Sequence, residues 1–239
     1  MKEWVKKEEK LAILFINEIN RLQEKTQAVF LDLMRERAVH AEAIDKIFSL
    51  PNLWVCGDRN PLEKEQTFEL PHAERDRFLM EIYVPYPDQD SEKKIIKDPE
   101  FRDIGKLLTR VKPVLKISEV RFYADWIEYN IHVSPALIKY LHNLVLATRK
   151  PSLYGISIPG VEDVDDILLA GVSPRVNMIR AAAQTAALFR GSKVVEPRDI
   201  HDIFTETFAH RIFFKNTAQT RRSNIAKIFL EEIKRKIGV

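Results

Sequence analysis

The chain has 239 residues, of which 45% are hydrophobic and 31% are charged, a composition typical of a globular protein and not of a disordered or fibrous one. Its 38 basic and 35 acidic residues leave a net charge of +3, which by itself is too small to indicate a nucleic-acid partner. The single cysteine, Cys56, excludes an internal disulfide, and its apolar surroundings predict a buried, reduced thiol in a cytoplasmic protein.

The first predicted element is an unbroken apolar run over residues 11–16. Such a run predicts a strand that is buried on both faces, as in a parallel sheet. Asn17 and Glu18 follow it directly, so Glu18 would lie at the carboxyl end of the sheet, where ligands bind in open α/β folds. A helix is predicted over residues 23–37, because its apolar residues recur every three or four positions.

Two further strands are predicted, over residues 52–57 and 78–86, and prolines end the second of them. A turn-forming cluster that includes Asn60 follows the first. Residues 88–103 are strongly charged, and they indicate a boundary between an α/β unit over residues 1–87 and a helical unit over residues 88–239.

The second unit is predicted to be entirely helical. Ser134 is an expected N-cap, because a proline follows it in the first helical turn. Ser173 and Pro174 predict another helix start in the same way, with Arg175 projecting from the opening turn, and Gly191 is expected to end that helix. The predicted helices cover residues 120–129, 134–148, 173–191, 195–211 and 225–237.

Four motifs in this order resemble the MoxR-type AAA+ ATPases. They are the apolar strand with Asn-Glu-Ile-Asn-Arg at 17–21, Asn-Pro at 60–61 with Leu-Pro-His-Ala-Glu-Arg-Asp-Arg-Phe at 70–78, Gly-Val-Ser-Pro-Arg at 171–175, and Val-Glu-Pro-Arg-Asp-Ile at 195–200 with His-Arg-Ile at 210–212. The resemblance spans residues 11 to about 214. It implies an α/β fold: a partial AAA+ parallel-sheet core, from the Walker B strand onward, followed by an all-α lid domain.

The resemblance also implies roles for individual residues. Glu18 would polarise the attacking water, and Asn60 would help to place it, as the sensor 1 residue does. Arg175 would reach the γ-phosphate as sensor 2. Arg77 would act as an arginine finger on the nucleotide of a neighbouring subunit, a contribution worth on the order of 10³–10⁵ in turnover in well-studied triphosphatases.

Each of these residues also has a plain structural interpretation. Arg77 could pair with the carboxylates one and three residues before it, and Arg175 could pair with the acidic residues at 163–166. Asn60, which precedes a proline, could be an ordinary turn residue. Asn17 departs from the family, which has Asp there; a neutral amide offers Mg²⁺ no negative charge, so we expect weakened Mg²⁺ binding.

Triphosphate binding in this fold relies on a Gly-x-x-x-x-Gly-Lys-Ser/Thr loop, and these 239 residues contain none. In the resembled proteins this P-loop lies upstream of the Walker B strand. The expectation is therefore a fragment, a split gene or a protein completed in trans, with ATP and Mg²⁺ used by the complete protein. The 239-residue chain alone is predicted not to hydrolyse ATP measurably.

The family resemblance implies a chaperone-like, ATP-driven remodeller of partner protein complexes, often a homo-hexamer. A non-catalytic AAA-like subunit or protein-interaction module is the alternative, favoured by Asn17 and by the missing P-loop. A nucleic-acid motor subunit is a third hypothesis; acidic residues interrupt the basic tail, and no aromatic platform accompanies it. No apolar run approaches the roughly 18 residues of a membrane span.

Overall fold

The first half of the chain contains both strands and helices. The structure is a computed structural model, and it describes residues 12–41, 46–60, 70–174, 176–215 and 225–238. The elements of the first half are β1 (Ala12–Ile16), a 3-10 turn (Ile19–Arg21), α1 (Glu24–Glu36), β2 (Ala38–Ala41), β3 (Lys46–Ser49), β4 (Leu53–Gly57) and α2 (His72–Arg75). β2 and β3 pair as an antiparallel hairpin.

β1 and β4 pair in parallel, with Ile16 opposite Gly57 at their carboxyl ends. The prediction of a parallel sheet is confirmed, but the prediction that its first strand is buried on both faces is wrong. Ile13 and Phe15 are each 61% exposed, because nothing in the described part of the chain covers that face. Cys56, which is paired with Phe15, is exposed on the same face. The predicted burial of its thiol is therefore also wrong.

The predicted strand over residues 78–86 is absent from the structure. Residues 80–88 run without helix or ladder, and Tyr83 and Val84 are 78% and 83% exposed. A strand needs a neighbour for its backbone groups, and the described residues offer this segment no ladder. Instead, the backbone N–H of Glu81 donates to the carbonyl oxygen of Glu206 at 2.8 Å.

A charged helical segment links the two halves. It contains α3 (Gln89–Lys97), a 3-10 turn (Pro99–Arg102), α4 (Ile104–Leu108) and α5 (Ile117–Asn130). Asp98 ends α3, and its carboxylate caps the following turn by accepting from the N–H of Glu100 at 2.9 Å. The helical segment is therefore interrupted at Asp98 and Pro99.

The second half is mainly helical and contains most of the buried core. Its elements are α6 (Pro135–Ala147), a 3-10 turn (Pro151–Tyr154), α7 (Val164–Ile167), β5 (Leu168–Ala170), α8 (Asn177–Phe189), α9 (Pro197–His201), α10 (Phe204–Phe208), a 3-10 turn (Ala209–Arg211), β6 (Phe213–Phe214) and α11 (Ile225–Ile237). Leu144, Ile179, Phe204 and Phe229 are fully buried at its centre. The antiparallel pair of β5 and β6 is a departure from the predicted all-helical unit.

Two helix ends of this half follow the sequence signals, but the single helix predicted over residues 195–211 is divided into α9, α10 and a 3-10 turn. Ser134 caps α6 by accepting from the N–H of Leu137 at 3.2 Å, and Gly191 takes a positive φ of 80° just after α8. The predicted start at Ser173 is wrong, because α8 begins at Asn177. In the described residues, no helix is both long and apolar enough to cross a bilayer.

Candidate functional site

The carboxyl ends of β1 and β4 bring two of the predicted site residues to the same edge of the sheet. Glu18 lies two residues beyond Ile16, and Asn60 lies three residues beyond Gly57, its partner in the parallel register. Since parallel strands that end together present their next residues at one edge, the two strand ends form a common surface. Asn60 is exposed there.

Asp58 fastens the two strand ends to each other. Its backbone N–H donates to Ile16 at 3.1 Å, and its carbonyl accepts from the N–H of Ile19 at 3.0 Å. Its carboxylate accepts from the N–H of Glu18. Three bonds from one residue therefore fix the turn that carries Glu18.

Glu18 has a left-handed backbone, with φ 52° and ψ 53°. This conformation is unusual for a residue other than glycine and costs on the order of 1–3 kcal/mol, so surrounding bonds must hold it. The Glu18 carboxylate is 39% exposed and pairs with the Nε of Arg21 at 2.9 Å. A partly exposed carboxylate at a strand end is suited to accept a hydrogen bond from a substrate water.

The residues at this edge are a poor Mg²⁺ site by themselves. Asn17 contributes a neutral amide, and the Glu18 carboxylate is already engaged by Arg21. The described residues also contain no cluster of three or more acidic, histidine or cysteine side chains that could hold a metal ion. A Mg²⁺ ion at this edge would therefore need other ligands, such as the phosphates of a nucleotide.

Arg77 lies at the junction between the two halves of the chain, just after α2, and it is half-buried. Its backbone N–H donates to the carbonyl of Glu74 at 3.1 Å. Burial raises the pKa of the Glu74 carboxyl, while the positive charge of Arg77 acts in the opposite direction. An ion pair between Arg77 and Asp76 was the plain structural interpretation. Arg211 competes for that carboxylate, because its guanidinium lies 3.0 Å from Asp76.

Asp76 is the centre of a polar network that joins the two halves. Its Oδ1 accepts from the Nε of Arg211, and its Oδ2 accepts from the hydroxyl of Ser173 at 2.6 Å. The Arg211 side chain is only 1% exposed, and that of Asp76 is 15% exposed. A buried guanidinium requires such a counter-charge and full hydrogen bonding.

The Arg211 guanidinium donates five hydrogen bonds to described residues. Besides the carboxylate of Asp76, it binds the carbonyl oxygens of Phe78 at 2.6 Å and Leu79 at 3.1 Å. It also binds the carbonyl oxygens of Asp76 and Thr207. Four of the five acceptors thus belong to residues 76–79.

An aromatic contact and two ion pairs extend this junction. His72 stacks on Phe213 with ring centroids 3.6 Å apart, and the guanidinium of Arg75 lies 5.0 Å from the centre of the same ring. Glu81 pairs with Arg59 at 2.7 Å and with Arg75 at 3.4 Å. Burial raises the pKa of Glu81, but these two guanidinium groups outweigh it and hold the pKa below its ordinary value.

His210 is buried beside Arg211. Its Nδ1 lies 3.1 Å from the carbonyl oxygen of Glu206, and its Nε2 lies 3.0 Å from that of Phe78. Burial, and secondly the charge of Arg211, lower the pKa of His210 to about 4. The imidazole is therefore neutral at physiological pH and does not add a second charge beside the guanidinium.

The sequence predicted no functional role for the junction residues Asp76, Ser173, His210 and Arg211. His210 and Arg211 stand in the His-Arg-Ile motif, and Asp76 precedes Arg77 in another motif, so the motifs marked their positions without revealing their contacts. Ser173 was expected to cap a helix. Arg175, the predicted sensor 2 residue, lies outside the described residues.

Comparisons with known proteins match both halves of the chain. A family model for "ATPase family associated with various cellular activities (AAA)" matches residues 9–80, and one for an AAA lid domain matches residues 162–228. Protein MoxR of Methylorubrum extorquens is 37% identical over 92% of this chain, and Protein MoxR of Paracoccus denitrificans is 34% identical over 93%. The chain spans 64% and 66% of the lengths of these two relatives.

Two further matches agree with these. Chaperone MoxR1 of Mycobacterium tuberculosis is 35% identical over 83% of this chain, which spans half of that relative. A crystal structure of a Cytophaga hutchinsonii protein that was assigned as an ATPase superimposes with a TM-score of 0.80 at 28% identity. That superposition covers 94% of this chain and 65% of the other. The expected α/β core with a helical lid is therefore confirmed.

Proposed function

Since the chain belongs to the MoxR family of AAA+ ATPases, we propose that it supplies the water-activating edge and the lid of an ATP-driven remodeller of protein complexes. The observation that carries this proposal is the pairing of β1 and β4, whose ends bring Glu18 and Asn60 to one edge. In this fold type, that edge is where ligands bind.

Glu18 is proposed as the residue that polarises the attacking water. Its carboxylate is partly exposed and pairs with the Nε of Arg21 at 2.9 Å. The bonds from Asp58 keep the turn in place, so the carboxylate is preorganised for a water at the strand end. Asn60 is proposed to orient the same water through its side-chain amide.

Arg77 is proposed to act on the nucleotide of a neighbouring copy of the chain. A guanidinium that approaches a transferring phosphoryl group neutralises the charge that develops on its oxygens. The location of Arg77 beside the lid supports a link between lid position and hydrolysis. Arg175 is proposed to contact the nucleotide from the lid of the same subunit, as the family resemblance implies.

Nucleotide binding by the whole protein is part of the proposal. The chain spans about two thirds of the length of the MoxR relatives, and its 239 residues contain no P-loop. Hydrolysis therefore requires a P-loop in addition to these residues. Mg²⁺ would be held mainly by the nucleotide phosphates, because Asn17 offers no charge.

The proposed biological role is remodelling of partner proteins by a homo-oligomer. Its support is the name of one relative, Chaperone MoxR1 of Mycobacterium tuberculosis, together with the proposed action of Arg77 in trans, which needs a second copy of the chain. A non-catalytic subunit remains the second candidate, and Asn17 is the observation that favours it.

A chimera tests the proposal. A P-loop segment from upstream of the Walker B strand of the Methylorubrum relative would be fused ahead of the chain, and phosphate release and binding of a fluorescent ATP analogue would be measured. Turnover that Glu18→Gln abolishes, with analogue binding retained, is the expected result. Analogue binding without turnover would favour the non-catalytic subunit. The 239-residue chain alone is expected to be inactive, and it serves as the negative control.

A further inference from the structure

The carboxyl end of α6 holds both backbone groups of Val172. The hydroxyl of Thr148 accepts from the Val172 N–H at 3.0 Å, and the Nε of Arg149 donates to the Val172 carbonyl oxygen at 2.6 Å. Thr148 is the residue at which α6 ends, and Arg149 follows it directly. Two consecutive side chains at one helix end therefore form a clamp on a residue that lies 23 and 24 positions later in the sequence.

The clamp is buried, and its hydroxyl has both of its hydrogen-bonding roles filled. Thr148 is 0% exposed and Val172 is 1% exposed. While it accepts from Val172, the Thr148 hydroxyl donates to the carbonyl oxygen of Val145 at 2.7 Å. At Gly171 the backbone approaches so closely that a Cβ would overlap the Thr148 carbonyl oxygen. The segment before α8 is thus fixed against the end of α6 by directional bonds and by close contact.

The residues between Val172 and Arg175 carry this fixed position along the chain. The hydroxyl of Ser173 donates to the Oδ2 of Asp76 at 2.6 Å. The ring of Pro174 fixes its own φ, and a proline also restricts the backbone of the residue before it. Few free backbone torsions therefore separate the clamped residue from Arg175, which comes three positions later in the sequence.

We propose that Thr148 and Arg149 are positioning residues that fix the entry into α8 and, with it, the place from which Arg175 contacts the nucleotide. The catalytic consequence rests on the proposed function, in which Arg175 makes that contact. The clamp itself rests only on the bonds from Thr148 and Arg149 to Val172. Because these bonds are directional, a variant that keeps them should keep the positioning, whereas one that keeps only the shape should not.

Amide hydrogen exchange in the full 239-residue chain, followed by NMR, tests the clamp. Exchange at Val172 is compared with exchange at Leu230, a buried residue of α11, so that a change in global stability cancels. Thr148→Val keeps the shape of the side chain but removes the hydroxyl. It is expected to accelerate exchange at Val172 relative to Leu230 by roughly tenfold, the effect of one lost hydrogen bond.

Thr148→Ser is the matched control, because it keeps the hydroxyl, and it is expected to leave the exchange ratio unchanged. Arg149→Met removes the other bond and should accelerate exchange at Val172 by roughly threefold even if Thr148→Val fails to fold. Arg235→Met alters a guanidinium with 65% exposure on α11 and should have no effect. Fast exchange at Val172 in the unaltered chain, or a ratio that neither Thr148→Val nor Arg149→Met changes, would overturn the clamp.

A double-mutant cycle in the chimera tests the catalytic consequence. Arg149→Met is expected to lower kcat on the order of 10- to 100-fold, the effect of a catalytic group displaced by about 1 Å. If Arg149 acts through Arg175, this loss should disappear in an Arg175→Ala background, whereas a merely structural effect would persist there.

The outcomes of the cycle separate the two proposals. If Arg175→Ala is harmless while the exchange results hold, the proposed role of Arg175 fails and the clamp stands. If Arg175→Ala is harmful, and Arg149→Met is either harmless or equally harmful in both backgrounds, the positioning role fails. A loss that Arg149→Met causes only when Arg175 is present supports the positioning role.

Discussion

The carboxylate of Asp58 accepts a hydrogen bond from the backbone N–H of Glu18, across the ends of two parallel strands. This contact occurs where Glu18 takes a left-handed backbone with φ 52°. The residue that we propose to activate water is therefore held in a conformation that its own side chain does not favour.

The left-handed backbone at Glu18 predicts an unusual order of stability among substitutions. Glu18→Gly should be more stable than Glu18→Ala by about 1–2 kcal/mol, because only glycine adopts φ > 0 without a steric penalty. Both variants lose the ion pair with Arg21. The difference in their stability therefore reports the cost of the left-handed backbone at residue 18. Urea denaturation of the two variants measures the difference. A more stable Glu18→Ala variant would show that residue 18 is not left-handed in solution.

The elements that the sequence predicted correctly are those fixed by local patterns. The strand ending at Ile16 and the helix capped by Ser134 depend on runs, spacing and capping residues that are close together in the chain. The hydrogen bonds of the helix are internal or lie within a few residues. The strand makes its ladder with the distant β4, but its apolar run was enough to predict its type. A single sequence contains all the information that such elements need.

The predictions that failed depend on distant partners. Ser173 has the sequence context of a helix cap, but its hydroxyl binds Asp76, 97 residues away. The apolar segment that includes Tyr83 has the composition of a strand and finds no ladder among the described residues. Cys56 has apolar neighbours on a sheet whose outer face is exposed. Composition predicts what a segment prefers, and it does not reveal which surface will cover it.

Gly171 is predicted to tolerate no side chain. A Cβ at this position would overlap the carbonyl oxygen of Thr148 and lie 2.6 Å from its carbonyl carbon. The hydroxyl of Thr148, which is fully buried, also accepts from the N–H of Val172 at 3.0 Å. The backbone at residue 171 therefore cannot easily move away from Thr148. Gly171→Ala should destabilise the chain by about 3 kcal/mol, at the upper end for overpacking.

Gly105→Ala is the matched control for this prediction. The Cβ at Gly105 would meet only a side-chain oxygen of Asp103, at 3.2 Å, and alanine favours the α4 helix in which it lies. The variant should therefore be neutral or slightly stabilising in a thermal melt. Equal melting temperatures for the two variants would contradict the close approach of residues 148 and 171.

His210 is predicted to remain neutral down to mildly acidic pH. Burial lowers its pKa from 6.5 to about 4 in the folded protein, so between these values the unfolded chain binds a proton that the folded chain does not. This pKa difference makes the free energy of unfolding depend on pH. The contribution of His210 is complete above pH 6.5 and is lost as the pH falls towards 4, by roughly 3 kcal/mol in total. NMR of the imidazole Cε1–H signal, assigned by its absence in His210→Gln, measures the pKa. A midpoint near 6.5 would refute the burial of this group.

The Mg²⁺ requirement of the chimera is predicted to depend on Asn17. In Asn17→Asp, the added carboxylate would place a negative charge beside the metal, and the Mg²⁺ concentration that gives half-maximal phosphate release should fall roughly tenfold, or about 1.4 kcal/mol. Asn60→Asp serves as a comparison, since it adds the same charge on the other strand end. Equal shifts for both variants would indicate a general charge effect and would remove position 17 from the proposed site.

The ion pair between Asp199 and Arg190 is predicted to be the most important polar contact within the lid. The Asp199 carboxylate is 1% exposed; it accepts from the Nε and Nη2 of Arg190, both at 2.8 Å, and from the N–H of Glu196 at 2.7 Å. Burial alone would raise the pKa of Asp199, but these donors outweigh it and lower the pKa. Removing this carboxylate leaves Arg190 without its main counter-charge at the start of α9.

Asp199→Ala should therefore destabilise the lid by about 3 kcal/mol, the range for breaking a buried pair from one side. Glu100→Ala breaks an equally short pair, with Arg110 at 2.7 Å, whose side chains are 51% and 62% exposed, and it should cost at most about 1 kcal/mol. Because the folded-state pKa of Asp199 lies below its unfolded value, the extra stability is lost as the pH falls through that lower pKa. The difference between the two variants in urea denaturation should accordingly be large at pH 7 and shrink in acid. A difference that stays constant with pH would mean that Asp199 stabilises the lid through packing and not through its charge.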